Sequence, residues 1–308
     1  MRITIVGAGG VGGYVGARLQ ASGEQVAYLA RGAHLAALQR EGLRLRSPEG
    51  ELHLPAVRAS ADARELGTAE LVLFAVKLWD TEAAAAALAP LLGPDSRVLT
   101  LQNGIDSVAQ IARHVPRAQV RGGAIYVSAY IDAPGVIVSP GGQHRIVADG
   151  AGGDPVIAAF CAACTRAQGI EARATEHIER ALWEKFVALS SISGATALLR
   201  APSGPILAHP ETRAFVRQLI DEGVAVAAAA GQPLKEGYAE ASMEGIGAMP
   251  ANFRSSMAED LDRGRRLELR WLSGRLHALG LELGVATPAH TAVYRGLVLH
   301  ENGRLAAG

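Results

Sequence analysis

Gly7-Ala8-Gly9-Gly10-Val11-Gly12 directly follows the apolar run RITIV at 2–6 and opens a helical pattern over 10–22. In a chain with 36 glycines the spacing alone says little, but its place between a strand and a helix says much more. Gly7 permits the tight turn, Gly9 lets the main chain approach a pyrophosphate, and Gly12 allows the helix to pack closely on the strand. The helix start then offers unpaired N–H groups and a partial positive charge to phosphates. A chain that begins this way is expected to form a parallel sheet with helices on both faces and to hold a dinucleotide on residues 7–12.

The following residues repeat the alternation. Strands are expected at 25–29, 71–76 and 97–102, with helices at 34–41 and 80–92. Strands buried on both faces read as continuous Val, Leu and Ile runs, as LVLFAV does here. Residues 43–46 and 51–58 read as a meander around Ser47-Pro48-Glu49-Gly50. From 119 to 148 three short runs broken by Pro134-Gly135 and Gly141-Gly142 predict antiparallel strands added to the same sheet. A helix at 154–168 and a short strand at 170–173 complete this half. Beyond about residue 175 the strand signals vanish, and helices are expected at 176–199, 210–230, 235–248, 255–263, 266–280 and 289–300. The expected fold class is α/β: an N-terminal Rossmann-type doubly wound sheet over 1–172 and an all-α domain over 173–308.

Lys plus Arg and Asp plus Glu each total 30, so the formal net charge is zero. That balance argues against a general nucleic-acid or anionic-membrane binder. The apolar run 224–230 is too short to span a bilayer. Glycines between 7 and 16 would weaken a signal helix at the otherwise apolar N-terminus. Cys161 and Cys164 cannot build a disulfide framework, and neither they nor the histidines show metal-ligand spacing. A soluble cytoplasmic protein without a metal is expected.

The end of the second strand selects the cofactor. An acid there accepts from the ribose 2′-hydroxyl of NAD. Here the residues are Tyr28-Leu29-Ala30-Arg31-Gly32, and the planar fork of Arg31 suits the 2′-phosphate of NADP(H). Glu24 stands at the start of that strand, on the wrong edge. Lys77 follows LVLFAV, and Asn103 follows RVLTLQ, so both lie at the carboxyl ends of strands, where open α/β sheets bind ligands. Lys77 is a second candidate for the 2′-phosphate or adenosine. Asn103 has a donor and an acceptor for nicotinamide or a substrate carboxylate. Each has a plainer reading, as a solvated strand-end charge and a turn. Ser128, near the end of VRGGAIYVSAY, completes the cofactor-binding set.

In the helical half, Lys185 in Trp183-Glu184-Lys185-Phe186 opens an otherwise apolar run. Burial would lower its pKa and suit it to proton donation, whereas a snorkelling Lys would stay at the surface. Ser255-Ser256-Met257 and Glu268 form the last constellation; read alone, Ser255 is a helix N-cap and Glu268 a solvated acid.

These pieces, in this order, resemble the ketopantoate reductase family (2-dehydropantoate 2-reductases). The matching segments are GAGGVGG at 7–13, Arg31, AVKLWDT at 75–81, LQNG at 101–104, LWEKF at 182–186 and SSMAEDLDRGRRLE at 255–268. The resemblance implies NADPH-dependent reduction of ketopantoate to pantoate, a step towards pantothenate and coenzyme A. It implies that Arg31 and Lys77 bind the 2′-phosphate end, and that Asn103 lies near the nicotinamide ribose and the substrate carboxylate. Lys185 would be the general acid. Ser256 would hold the substrate carboxylate, and Glu268 would bind a substrate or ribose hydroxyl and orient Lys185. Leu189 and Ser193, four and eight residues after Lys185, stand where the family carries Asn, and Ser203 stands where it carries a later Asn. All three are candidate substrate contacts. Only Asn103, Asn252 and Asn302 occur in the whole chain, so no amide on that helix compensates. Two alternatives follow: a paralogue reducing a different, more apolar 2-oxo acid, and a non-catalytic nucleotide-sensing protein. The expected partner is a small-molecule 2-oxo acid, with a homodimer allowed.

Overall fold

The computed structural model describes residues 1–304. The chain divides into two compact units, Met1–Ile178 and Glu179–Gly308.

In the first unit the strands are β1 (Arg2–Val6), β2 (Gln25–Leu29), β3 (Leu43–Ser47), β4 (Gly50–Leu54), β5 (Arg58–Ser60), β6 (Ala69–Phe74), β7 (Leu92–Thr100), β8 (Val120–Tyr126), β9 (Tyr130–Ala133), β10 (Val136–Val138), β11 (Arg145–Asp149) and β12 (Glu171–Thr175). Its helices are α1 (Gly10–Ala21), α2 (Gly32–Glu41), α3 (Ala63–Leu66), α4 (Thr81–Ala86), α5 (Ser107–Ile111) and α6 (Pro155–Arg166). The main sheet has eight strands in the order β12-β11-β8-β7-β6-β1-β2-β5. All its pairs are parallel except β8 with β11. From β1 the chain moves to β2 on one side and later to β6 on the other. The carboxyl end of β1 is therefore a topological switch point, where open sheets bind ligands.

Alternation along the strands explains the continuous apolar runs. Leu71 and Leu73 join Ile3, Ile5 and Leu99 on one face, packed with Tyr14, Val15, Leu19 and Phe160. Val72 and Phe74 join Val6, Val98 and Val120 on the other, packed with Leu66, Ala85, Leu88 and Ile111. Each strand therefore buries both faces.

The expectation for 119–148 is corrected in part. β8 and β11 extend the main sheet, but β9 and β10 leave it. They join the β3–β4 hairpin in a separate four-stranded sheet of order β4-β3-β10-β9. β10 runs parallel to β3, and Arg44 accordingly donates its N–H to the Gly135 carbonyl at 2.9 Å. Short strands with one exposed face carry no sign in the sequence of which edge they join. The helix expected over 80–92 is also interrupted: α4 ends at Ala86 and a 3₁₀ turn at Ala89–Leu91 contains Pro90.

The second unit contains α7 (Ile178–Leu198), α8 (Ser203–Ala208), α9 (Pro210–Ala229), α10 (Tyr238–Gly247), α11 (Ser256–Asp262), α12 (Ser273–Leu283) and α13 (Pro288–Leu297). The helix expected over 266–280 is split into a 3₁₀ turn at Leu269–Trp271 and α12. α9 packs against α12 and α13. Phe186, Val187, Val216, Leu219, Leu276 and Val293 are fully enclosed. The Glu222 carboxylate on α9 accepts the backbone N–H groups of Ala289 and His290 at 2.8 and 2.9 Å, capping α13. No helix among the described residues is long and apolar enough to cross a membrane.

Candidate active site

Gly7 has φ +95°, and a Cβ there would lie 2.7 Å from the Val76 nitrogen. Only glycine fits both the angle and the space. A Cβ on Gly12 would lie 2.2 Å from the Gly7 carbonyl oxygen, so α1 could not rise this close to β1 with any larger residue. A Cβ on Gly9, by contrast, would meet nothing within 4 Å. Gly9 is the N-cap of α1 and offers no side chain to the helix start. Open space beside bare backbone at a helix N-terminus is the shape that a pyrophosphate fits. Ala8 and Val11 belong to the same turn.

Gly10 has a neighbour that the sequence does not announce. A Cβ there would lie 2.0 Å from the Ala129 carbonyl oxygen. The segment between β8 and β9 therefore rests on the start of α1, with exposed Ser128 next to it. His34 on α2 is a second unannounced neighbour. Its Nδ1 accepts the Gly135 N–H at 3.1 Å, while burial lowers its pKa against the raising effect of the Ala8 backbone.

Arg31 is the N-cap of α2, just past β2. Its side chain is 81% exposed, and Nη2 lies 2.7 Å from Asp80 Oδ2. Glu24 is engaged by the N-terminal ammonium and, at 2.6 Å, by Arg166, far from this end of the strand. Lys77 is exposed past the end of β6, with Nζ 5.6 Å from the Trp79 ring centroid. Gln102 joins the ends of β6 and β7: its amide donates to the Val76 carbonyl at 3.0 Å and to Thr81 Oγ1 at 2.8 Å. Asn103, half-buried, follows directly. Gln102 and Thr81 lie inside the LQNG and AVKLWDT segments, but nothing in the sequence indicates that their side chains bond to each other and tie the two strand ends together. Together, the bare backbone beside Gly9 and the exposed cations Arg31 and Lys77 fit a phosphorylated dinucleotide.

In the second unit, Lys185 lies on α7 between buried Trp183 and Phe186, whose rings meet edge-on at 5.6 Å. The Tyr238 hydroxyl donates to the Glu184 carbonyl, holding this turn of α7. The Lys185 side chain keeps some solvent exposure, yet its ammonium is deeply surrounded by protein. Burial lowers its pKa from 10.5 to about 8, against an opposing pull from the Glu268 carboxylate. Glu268 is buried and precedes the 3₁₀ turn at Leu269–Trp271. The fold thus brings these two residues, distant in sequence, within electrostatic reach of each other.

Ser255 caps α11, accepting from the Ala258 N–H at 3.1 Å, and its hydroxyl lies 2.9 Å from Thr196 Oγ1 on α7. That contact ties α11 to α7 and leaves Ser256 exposed as the first residue of α11. Leu189 is half-buried and Ser193 buried further along α7. Ser203 is also buried, and its hydroxyl donates to the Pro250 carbonyl at 3.0 Å. That proton is committed within the protein, so Ser203 has acceptor capacity only.

The chain matches two family models, ketopantoate reductase PanE/ApbA over residues 3–151 and ketopantoate reductase PanE/ApbA C terminal over 177–301. It is 32% identical to the 2-dehydropantoate 2-reductase of Halobacterium salinarum, over 94% of this chain and 95% of that one. It is 30% identical to an uncharacterised oxidoreductase of Bacillus subtilis, YkpB, over 98% and 99% of the two chains. A PanE/ApbA family ketopantoate reductase from Ralstonia eutropha superposes with a TM-score of 0.88 at 31% identity, covering 98% of each chain. With its glycine turn, its lowered-pKa lysine and these matches along nearly its whole length, the chain belongs to the ketopantoate reductase family of oxidoreductases.

Proposed function

We propose that this protein reduces 2-dehydropantoate to pantoate with NADPH, in the route to pantothenate and coenzyme A. The observation that carries the reading is Lys185, a lysine whose burial brings its pKa to about 8 with Glu268 opposing. A binding protein that only senses a nucleotide has no use for such a pair.

Bound NADPH supplies the hydride. The residues of the chain do the rest. The bare backbone of 7–12 receives the pyrophosphate, Arg31 and Lys77 take the 2′-phosphate, and Ser128 and Asn103 line the cofactor. Asn103 also faces the substrate carboxylate. As the carbonyl carbon accepts hydride, negative charge grows on its oxygen. The Lys185 ammonium stabilises that charge and gives up a proton to form the hydroxyl. A pKa near 8 leaves the lysine largely protonated at neutral pH and able to release its proton. Ser256 holds the substrate carboxylate, and Glu268 orients Lys185 and accepts from a hydroxyl.

A second reading, the same chemistry on a more apolar 2-oxo acid, is favoured by Leu189 and by the committed hydroxyl of Ser203. The experiment is NADPH oxidation by purified protein with 2-dehydropantoate and with 2-oxo acids lacking its hydroxyl. Preference for 2-dehydropantoate supports the first reading. Preference for the others supports the second. Tight NADPH binding without turnover of any of them refutes both.

A further inference from the structure

The second unit contains a cleft of about 310 Å³ that the proposed reduction does not use. Arg200, Arg265, Arg304 and His300 line it, against one lining carboxylate, Asp262. Asp262 is itself shared: Arg254 Nη1 lies 2.7 Å from one oxygen and Arg200 Nη1 3.8 Å from the other. Arg265 Nη1 also lies 4.0 Å from Asp260 Oδ1, so four arginines (Arg200, Arg254, Arg265 and Arg304) stand against two carboxylates and positive charge is in excess at the cleft. Arg254 Nε and Nη2 are also buried without a hydrogen-bond partner.

The backbone that presents two of these side chains is unusual. Arg200, just past the end of α7, has φ +49°, and no other non-glycine residue among those described has a positive φ. The left-handed position after a helix normally belongs to glycine, which takes it without strain. An arginine held there keeps its guanidinium at the cleft at a conformational cost, and such strain is characteristic of functional positions. Arg304 is placed by a glycine: a Cβ on Gly264 would lie 2.2 Å from Arg304 Cγ, so the arginine stem lies across bare backbone. The Arg304 N–H donates to the Gly264 carbonyl at 3.2 Å. Among the described residues, the side chains of Arg304 and His300 form no ion pair.

We propose that this cleft is a binding site for a phosphate oxyanion, separate from the dinucleotide turn. Guanidinium groups present planar, paired donors that match phosphate geometry. The volume falls within the range of small-molecule sites, so a phosphate carried on a small organic group fits as well as the free anion.

The test is calorimetric titration of the full chain with inorganic phosphate and with glycerol 3-phosphate. The variants are Arg200→Gly, Arg304→Gln and, as a control for the dinucleotide turn, Arg31→Ala. Saturable binding is expected in wild type and in Arg31→Ala, weakened about 10-fold or more by Arg200→Gly and by Arg304→Gln. Arg200→Gly is expected to unfold at the same temperature as wild type or higher, because glycine relieves the left-handed strain, so its loss of binding cannot be a folding defect. Equal affinity for the two ligands identifies the free anion; tighter glycerol 3-phosphate identifies a carried phosphate. No saturable binding in wild type overturns the proposal. So does unchanged binding in both Arg200→Gly and Arg304→Gln, or a loss confined to Arg31→Ala.

Discussion

The Arg31 guanidinium lies 2.7 Å from the Asp80 carboxylate, joining the end of β2 to the residues after β6. With the arginine 81% exposed, the pair is solvated and weak, so a ligand phosphate can displace the carboxylate. Arg31→Ala is expected to weaken NADPH binding by roughly 10- to 150-fold, the loss of one charge-assisted contact, with little effect on NADH. Asp80→Asn frees the guanidinium and removes a like charge from the phosphate. It is expected to tighten NADPH by a few-fold at most, on the scale of an exposed pair. Dissociation constants for both cofactors check this; equal weakening of NADPH and NADH by Arg31→Ala would show that Arg31 does not read the 2′-phosphate.

The glycines of the turn should separate folding from binding. Gly9→Ala adds a methyl group where nothing lies within 4 Å, so the melting temperature should not change. The same methyl group occupies the space assigned to the pyrophosphate, and NADPH affinity should fall by roughly 1–3 kcal/mol. Gly10→Ala and Gly12→Ala place a Cβ 2.0 and 2.2 Å from carbonyl oxygens and should destabilise the fold by a comparable amount or more. Thermal melts beside cofactor titrations distinguish the cases. A Gly9→Ala variant with wild-type NADPH affinity would remove the pyrophosphate from this position.

Lys185 should lower stability. Its native pKa is about 8, against 10.5 ordinarily. Between these values the unfolded chain binds the proton more strongly than the native protein does, so stability rises with pH across this window. Below about pH 8 the native lysine is charged and the penalty is fully present. Lys185→Met should therefore stabilise the protein near pH 7 by about 2 kcal/mol, a figure reduced for the partial exposure of the side chain. The gain should shrink as pH rises towards 10. Catalysis should fall by roughly 10²–10⁴. Denaturant melts at several pH values provide the check, and a less stable Lys185→Met would contradict the burial argument.

How much of this was legible beforehand depended on the kind of signal. The parallel strands declared themselves because burial on both faces demands unbroken apolar runs such as LVLFAV. The move of β9 and β10 into a second sheet did not, because strands of four and three residues with one open face specify no partner. The glycine turn was readable from its spacing. The contact of Gly10 with Ala129, by contrast, is made across more than a hundred residues and leaves no local mark. Lys185 and Glu268 were each ambiguous alone; the resemblance singled them out, and the geometry supplies the electrostatic coupling. Ser203 shows the reverse. Its hydroxyl looked available in sequence, but the fold commits its proton to Pro250.

With Lys185 as the proposed acid, its coupling to Glu268 is expected to set the pH dependence of reduction. The acid must be protonated before it can donate, so the rate should fall as pH rises through about 8. The Glu268 carboxylate raises the lysine pKa, and Glu268→Gln removes that pull. The alkaline limb of the kcat profile should then move to lower pH. A merely structural glutamate would lower the rate without moving the limb. An unshifted limb in an active Glu268→Gln variant would sever the two residues functionally.

Leu189 and Ser193 follow Lys185 at i+4 and i+8 on α7, so the three share one helix face. If the acid meets the substrate carbonyl there, Leu189 presents hydrocarbon where the resemblance leads one to expect an amide. A substrate hydroxyl buried beside it would lose a partner, at roughly 1–3 kcal/mol. Ser193 is buried and Ser203 already donates to Pro250, so neither replaces the lost donors fully. The protein should accordingly discriminate only weakly between 2-dehydropantoate and 2-oxo acids without the hydroxyl. Leu189→Asn, alone and with Ser193→Asn, should raise the ratio of kcat/KM values in favour of 2-dehydropantoate by about 10-fold, the effect of one good hydrogen bond. The ratio is the proper measure, since a general loss of activity from packing an amide against α7 would lower both values together. A wild-type protein that already strongly prefers 2-dehydropantoate, or a double variant with an unchanged ratio, would show that Leu189 does not border the hydroxyl. Specificity would then have to come from Asn103, Ser256 and Glu268.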